Sequence, residues 1–483
     1  MLGTHDKSSF TLISLLITKA LAQSSCSIPT STAKYPAPSL ASGYTARIIA
    51  NGFQRPRSII FDSEGHLLVV EAGKGITALT LNDAGGSCIG ISSKATVIAD
   101  TSLNHGIEMS PDGTTLYASN SDKAMRWAYD PKATKTNGNA TILVQGMDNS
   151  DHTTRTILLS KKVNNTLLIS RGSNENIDAI AADINSGHSQ IRSFDIGGDT
   201  NSLNYATEGT RLGWGLRNSV GVAEHPASGG IYSVENSADN VDRDKEDIHN
   251  NNPGEEMNFH GYLNGTKANP DVQGGNYGYP NCYAAWNVSE IPQAGTLQTG
   301  SQFEIGDTIN DKNCSSPIIS PTLTFPAHWA PLDMKFNKAG SVAWITSHGS
   351  WNRQPPSGYL LYAVPFTTSG EPIASSNSTN SWQTIMSNPD NTKCPGSCFR
   401  PVGLAFDSKG RLFMTSDATG EIYVITATNG TGVDTASIAV DGSDAGGHSG
   451  SGSGAKTGEA STGGVNLALV CGIWALMMFF ETG

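Results

Sequence analysis

Residues 402–414 read VGLAFDSKGRLFM, and residues 57–70 read RSIIFDSEGHLLVV. Each is an apolar run, a polar turn closed by glycine, and a second apolar run. Short apolar runs bounded by turn signals read as buried strands, so each stretch predicts a hairpin. Four further stretches follow the same plan: GIEMSPDGTTLY at 106–117, TILLSKKVNNTLLI at 156–169, VGVAEHPASGGIY at 220–232 and LDMKFNKAGSVAW at 332–344. A hairpin that recurs needs neighbours to bury its faces. Sheets repeated radially around an axis supply them, so six units predict an all-β, six-bladed β-propeller with long inter-blade loops. An all-β sandwich is the competing architecture. The spacing is uneven: an Asn-, Gly- and Pro-rich insertion at 235–321 separates the fourth and fifth units. Loops of that length in a compact repeat fold are usually functional or disordered.

The 483 residues carry 31 Lys and Arg against 43 Asp and Glu, a formal charge of −12, with charged residues at 15%. This balance argues against a nucleic-acid partner and against a charge-driven disordered chain. Residues 1–22 read as a signal peptide: Lys7 precedes an apolar run, and Ala20-Leu21-Ala22 suits the peptidase. A buried N-terminal helix is the alternative. Residues 433–464 read as a Gly/Ser-rich linker with a glycolipid (GPI) attachment site near Ser453, and 465–483 as the hydrophobic tail removed there. A true tail anchor would want a basic flank, which the sequence lacks. The expected product is a propeller over 23–432, extracellular and tethered to the cell surface or wall. Seven cysteines agree with this. Cys471 leaves with the tail, and an even number remains for an oxidising compartment. Proximity suggests Cys394 with Cys398 and Cys282 with Cys314, leaving Cys26 with Cys88. The C-P-G-S-C run could be half a metal site, but nothing completes it. Glycan acceptors occur at Asn139, Asn164, Asn264, Asn287, Asn377 and Asn429.

A propeller gathers loops from all blades at one end of its axis, and the residues flanking the repeats are chemically rich. In order they are DHTTR at 151–155, WGLRN at 214–218, ENSAD at 235–239, GEEMN at 254–258, NYGYP at 276–280, FPAHW at 325–329, HGSWNR at 348–353 and FRP at 399–401. The ordered set R-N-x-x-G, E-N-S-A-D, G-E-E-M-N, N-Y-G-Y-P, H-G-S-W-N-R and R-P-V-G resembles the pyrroloquinoline quinone (PQQ)-dependent sugar dehydrogenases. These include the glucose/sorbosone dehydrogenase group and the fungal pyranose dehydrogenases. The resemblance covers about residues 44–426. It implies a six-bladed propeller with PQQ and calcium on its axis, oxidising a pyranose or aldose hemiacetal by base-assisted hydride transfer.

The residue chemistry suits that cofactor. PQQ carries three carboxylates, and guanidinium groups pair with carboxylates through two parallel hydrogen bonds. Arg155, Arg353 and Arg400 are therefore candidate clamps, with Asn218, His348 and Asn352 beside them. Trp351 and Tyr279 could cover a flat ring. Calcium takes oxygen ligands, which Asn236, Ser237, Ala238, Asp239 and Glu255 could provide. The resemblance puts the base on His152, in a segment that reads H-T-T-R where bacterial members read H-x-G-G-R. His328 and His348 are competing candidates. Arg217 would stabilise charge at the reacting quinone oxygen. Arg353 and Arg400 are expected to reach the axis across from the Glu235–Asp239 loop. Some fungal relatives carry a haem cytochrome domain and a cellulose-binding module. Neither is read here, so the expected partners are a sugar and a separate electron acceptor: a cytochrome-type protein, a quinone or a copper oxygenase. A non-catalytic glycan- or protein-binding propeller and a calcium-dependent lactonase are the alternatives.

Overall fold

The computed structural model describes residues 26–198, 202–263 and 272–438. The expected leader, the GPI site near Ser453 and the hydrophobic tail lie outside the described residues.

Each of the six repeated stretches forms the two inner strands of one blade. They are Pro56–Phe61 with Leu67–Glu71, Ile107–Met109 with Thr115–Ser119, Ile157–Leu159 with Thr166–Arg171, Ser219–Glu224 with Gly230–Glu235, Pro331–Phe336 with Val342–Ser347, and Pro401–Phe406 with Leu412–Ser416. Each innermost strand touches the next, and the last touches the first, so the ring closes. The F-D-S-x-G turns explain themselves. Asp62 Oδ1 accepts the N–H groups of Glu64 and His66, and Asp407 Oδ1 accepts those of Lys409 and Arg411. Gly65 and Gly410 then take φ of +84° and +73°, where a side chain is disfavoured.

Most second strands are buried along their length; Val342–Ser347 and Gly230–Glu235 are buried at every position. Blade faces pack against neighbouring blade faces, so both sides of a strand are interior. That is why the sequence shows continuous apolar runs instead of alternation. Leu404 and Met414 of the sixth blade, for example, share a core with Trp344 and Leu361 of the fifth. Burying one such side chain contributes about 1.5–3 kcal/mol.

Two features were not legible in the repeats. Tyr44–Ala50, far upstream, pairs antiparallel with Glu421–Ala427 and becomes the outer strand of the sixth blade. The stretch between the fourth and fifth units is also partly blade: Glu255–Tyr262, inside the insertion, and Leu323–Phe325, just after it, are the outer strands of the fourth. The three expected disulfides are present: Cys26–Cys88, Cys282–Cys314 and Cys394–Cys398. One boundary needs correction. Val433 and Ile438 are buried against the fifth and sixth blades, so residues 433–438 belong to the propeller and the linker begins beyond them.

Candidate active site

In every blade, the connection into the innermost strand and the connection leaving the second strand lie at the same end. All the residues singled out above fall on these connections or beside them. The structure brings them into two groups.

The first group surrounds Arg217. Its side chain is 4% exposed, and its guanidinium donates to the Asn176 carbonyl (3.0 Å) and side chain (2.8 Å), the Asn236 carbonyl (3.1 Å) and Asp239 (3.3 Å). Next to it stands His152, on a backbone with φ of +34°. Its Nδ1 lies 2.9 Å from Ser173 Oγ and 3.1 Å from the Ser173 carbonyl. The Ser173 hydroxyl donates its own proton to the Glu175 carbonyl. Both atoms facing Nδ1 are therefore acceptors, so Nδ1 carries the proton and Nε2 keeps its lone pair. No described residue hydrogen-bonds Nε2. Burial, and then the adjacent Arg217 charge, lower the His152 pKa to about 4. The result is a neutral imidazole of fixed tautomer with an open acceptor nitrogen. Gly172 makes the arrangement possible: a Cβ there would meet Asn218 Oδ1 at 2.4 Å and His152 Cβ at 3.0 Å. Asn218 is buried, and no described residue hydrogen-bonds its side-chain amide.

The second group comes from the first, second, fifth and sixth blades. Arg57 binds Asp417 (2.7 Å) through one nitrogen, and Asp417 also accepts from His348 Nε2 (2.8 Å). Burial works against the Asp417 carboxylate, but His348 and Arg57 outweigh it and hold its pKa well below the ordinary range. Burial pulls the His348 pKa below its ordinary value, against the opposing pull of Asp417. Arg400 donates to the carbonyls of His348 (3.0 Å) and Gly349 (2.8 Å). The remaining guanidinium nitrogens of Arg57, and Nη1 of Arg400, bond to no described residue. His105 is 2% exposed, and its Nδ1 has no hydrogen-bond partner.

Several expected contacts are absent. Arg155 is fully buried, and its guanidinium donates to the carbonyls of Met147, His152 and Thr154, so it braces the His152 turn from below. Tyr279 is core: its ring is buried, and its hydroxyl meets the backbone of Glu175, Asn176 and Asp178. It supports the loop that carries Ser173 and Asn176. Arg353 donates to the Asn250 carbonyl and Asn251 Oδ1 of the insertion and to the Pro355 carbonyl of its own loop, so it ties that loop to the insertion. Asn352 hydrogen-bonds Asn240 (2.9 Å), so this loop lies against the Glu235–Asp239 loop and not across from it. Trp351 is 63% exposed at the edge of the mouth.

The candidate calcium ligands divide in the same way. Glu255 accepts the N–H groups of Ser237 (2.7 Å) and Ala330 (2.9 Å), and burial raises its carboxyl to about 7. It clamps two loops together. Asp239 lies between Arg217 and His328 (3.3 Å to each). Burial works against its charge, but His328 and Arg217 hold its pKa low. Asn236 donates to the Pro331 carbonyl. The carbonyls of Ser237 and Ala238 accept no hydrogen bond from any described residue. Those two oxygens suit a hard cation, and the carboxylates are already committed. His328 donates toward Asp239 and the His249 carbonyl. Burial pulls its pKa down, yet those two bonds leave it raised. It is a charged brace and a poor base.

The residues present fit a flat polyanion. Arg57 and Arg400 keep guanidinium nitrogens that bond to no described residue, the buried His105 Nδ1 beside them has no partner, and His152 offers an open imidazole nitrogen in the other group. Sequence reading missed Arg57, His105, Ser173, Asn176 and Asp417. Aligning the repeats by position would have found three of them, since Arg57, His105 and Asp417 flank the inner strands as His152 and Arg217 do.

Fold and site together define a six-bladed propeller with arginines and an open imidazole nitrogen gathered at one end of its axis. The profile of the TrAA12-like family matches residues 38–428, and the chain belongs to that family. It is 47% identical over 408 residues to a pyrroloquinoline quinone-dependent sugar dehydrogenase of Hypocrea jecorina (strain QM6a), covering 81% of this chain and 90% of the relative. It is 40% identical over 412 residues to a pyrroloquinoline quinone-dependent pyranose dehydrogenase of Coprinopsis cinerea, matching 81% of this chain but only 55% of that longer protein. Among solved structures, the calcium structure of a Trichoderma reesei Carbohydrate-Active Enzymes Family AA12 protein superposes with a TM-score of 0.80 at 47% identity, covering 83% of this chain and 99% of that one. The holo form of the Coprinopsis cinerea pyranose dehydrogenase PQQ domain gives 0.76 at 37%, covering 83% and 98%.

Proposed function

We propose that this protein is a PQQ-dependent sugar dehydrogenase that oxidises the hemiacetal of a pyranose, with calcium as a second cofactor. The observation that carries this reading is His152: a neutral imidazole whose tautomer is fixed by Ser173 and whose Nε2 is open beside Arg217. When bound, PQQ supplies the electrophilic quinone that accepts hydride, and calcium polarises it.

The rest falls to the chain's own residues. His152 Nε2 takes the proton of the C1 hydroxyl as hydride leaves C1, so the C1 oxygen becomes a lactone carbonyl. The imidazolium that forms is stabilised by Ser173, which accepts from Nδ1–H in both protonation states. Arg217 is held by Asn176, Asn236 and Asp239, so its positive charge needs no rearrangement when negative charge develops nearby. Arg57, Arg400 and His105 would hold the carboxylates of PQQ, and the carbonyls of Ser237 and Ala238 would hold calcium. Electrons then pass to a separate acceptor. The terminal signals support an extracellular protein on a glycolipid anchor, which release by a phosphatidylinositol-specific phospholipase would test.

The functional test is reconstitution. The purified chain should take up PQQ stoichiometrically with calcium and then reduce a neutral dye in the presence of sugar. Uptake without turnover would point to a binding propeller, and lactone hydrolysis without uptake to a lactonase.

A further inference from the structure

Four large apolar side chains of the described residues are exposed: Ile177 (42%), Ile180 (57%), Trp351 (63%) and Ile373 (48%). Ile373 belongs to a loop at the opposite end of the propeller. The other three stand on the rim of the candidate active site, on two loops that hydrogen bonds join into one arc. Asn176 donates to the Asp239 carbonyl (2.7 Å) and accepts its N–H (2.9 Å), and Asn240 accepts from Asn352 (2.9 Å). The arc is stiff. Asp178 caps the turn at Ala179–Ala182, and Arg353 ties the Trp351 loop to residues 250 and 251. Apolar groups held in water on rigid loops around a site are the mark of a binding surface.

The charge around this arc is mostly negative. Asp148, Glu175, Asp183, Asp242, Asp244 and Glu246 are exposed on the connections at 146–156, 172–189 and 236–254, which border the arc on the side away from Trp351's own loop. The one exposed basic residue on those loops is Lys245, since Arg155 and Arg243 are buried. A neutral sugar has no use for such a border. A basic protein does: an apolar centre inside a charged rim, complementary in sign to the partner, favours fast and short-lived association.

We infer that the arc of Ile177, Ile180 and Trp351, with its acidic border, is the docking surface for a basic one-electron carrier protein that reoxidises the enzyme. This rests on the dehydrogenase reading above. Oxidation of one hemiacetal to a lactone removes two electrons and two protons. Two carrier molecules therefore dock in turn and leave reduced by one electron each, and the two protons go to solvent. The interface is expected at the small, transient end of the size range.

The test uses the full chain loaded with PQQ and calcium, and a basic cytochrome c as probe. Binding of the oxidised cytochrome should weaken about tenfold or more between about 10 mM and about 200 mM salt, because exposed charges are screened over that range. The triple variant Asp183→Lys, Asp242→Lys, Glu246→Lys should lose about tenfold or more at low salt. Ile177→Ser with Ile180→Ser should lose about threefold at either salt concentration. Sugar-dependent reduction of a neutral dye should be unchanged in both. Cytochrome c with its lysines succinylated should not bind. Wild-type binding by the triple variant, or equal binding of the succinylated probe, overturns the surface. If the wild type never reduces the neutral dye, the dehydrogenase reading fails instead, while the salt-dependent binding still reports on the surface.

Discussion

The two sides of the mouth follow opposite plans. Around Arg217, the protein has already given the cations their partners: four hydrogen bonds hold the guanidinium, and Arg155 is bonded beneath the turn. Among the described residues, the open acceptors there are Nε2 of His152, Asn218 Oδ1 and the carbonyls of Ser237 and Ala238. Around Arg57 and Arg400, donors are left unsatisfied and His105 has an orphaned nitrogen. A side that must orient a proton transfer gains from rigidity before substrate arrives. A side that must bind an anion gains from donors that face an acceptor only when it enters. The difference teaches that being an arginine near the axis is not enough; what matters is whether the guanidinium already has partners.

The comparison can be broken at either side. The largest effect is expected on the open side. Arg57→Leu with Arg400→Leu should weaken PQQ affinity by on the order of 10²-fold or more, since each truncation leaves a carboxylate unpaired, while Arg400→Lys should lose less because it keeps the charge without the fork. Equilibrium titration with PQQ measures both. Unchanged affinity in the double variant would end the two-sided account. Next comes Gly172→Ala, whose Cβ must push His152 or Asn218 aside. Sugar turnover should fall about tenfold at unaltered PQQ affinity, and a parallel loss of both would mean that the closed side also binds the cofactor.

The pH profile sharpens the closed side further. The His152 pKa is lowered to about 4, against ~6.5 for a free imidazole. Folding therefore disfavours its protonation. The stability it contributes is fully present above ~6.5 and is lost as pH falls toward about 4. Turnover has the same sign, so its acid limb should sit near pH 4 and not near ~6.5. A limb at ~6.5 would assign the base to an unperturbed histidine. The smallest effect on binding is expected for Arg353→Leu. PQQ affinity should change by less than about twofold, while the protein loses on the order of 1–3 kcal/mol of stability from the freed insertion. Calorimetry with PQQ titration separates the two.

How much of this was legible follows from what each level of structure depends on. The hairpins were, because burial on both blade faces forces continuous apolar runs and Asp-x-x-Gly turns. The ring closure through Tyr44–Ala50 was not, since a strand that joins from the other end of the chain carries no repeat of its own. At the site, residue type and position in the repeat singled out His152 and Arg217, which the structure brings together. They could not separate Arg353, whose three guanidinium nitrogens all have partners, from Arg400, whose Nη1 stays open, because such a partner leaves no trace in sequence. Tyr279 misled for a similar reason: its ring is apolar core, and only its hydroxyl touches the site loop. Ser173, which fixes the His152 tautomer, was invisible because serines are frequent and its role depends on a contact 21 residues away.

The central claim is that His152 is the base of a cofactor-dependent hemiacetal oxidation. Its most direct test is a single turnover with sugar, followed in the absorption of bound PQQ, in wild type and His152→Ala loaded with PQQ and calcium. The account predicts that the variant binds PQQ with the same stoichiometry and resting spectrum but is reduced by sugar about 10²-fold or more slowly. Reduction of His152→Ala at the wild-type rate would contradict it.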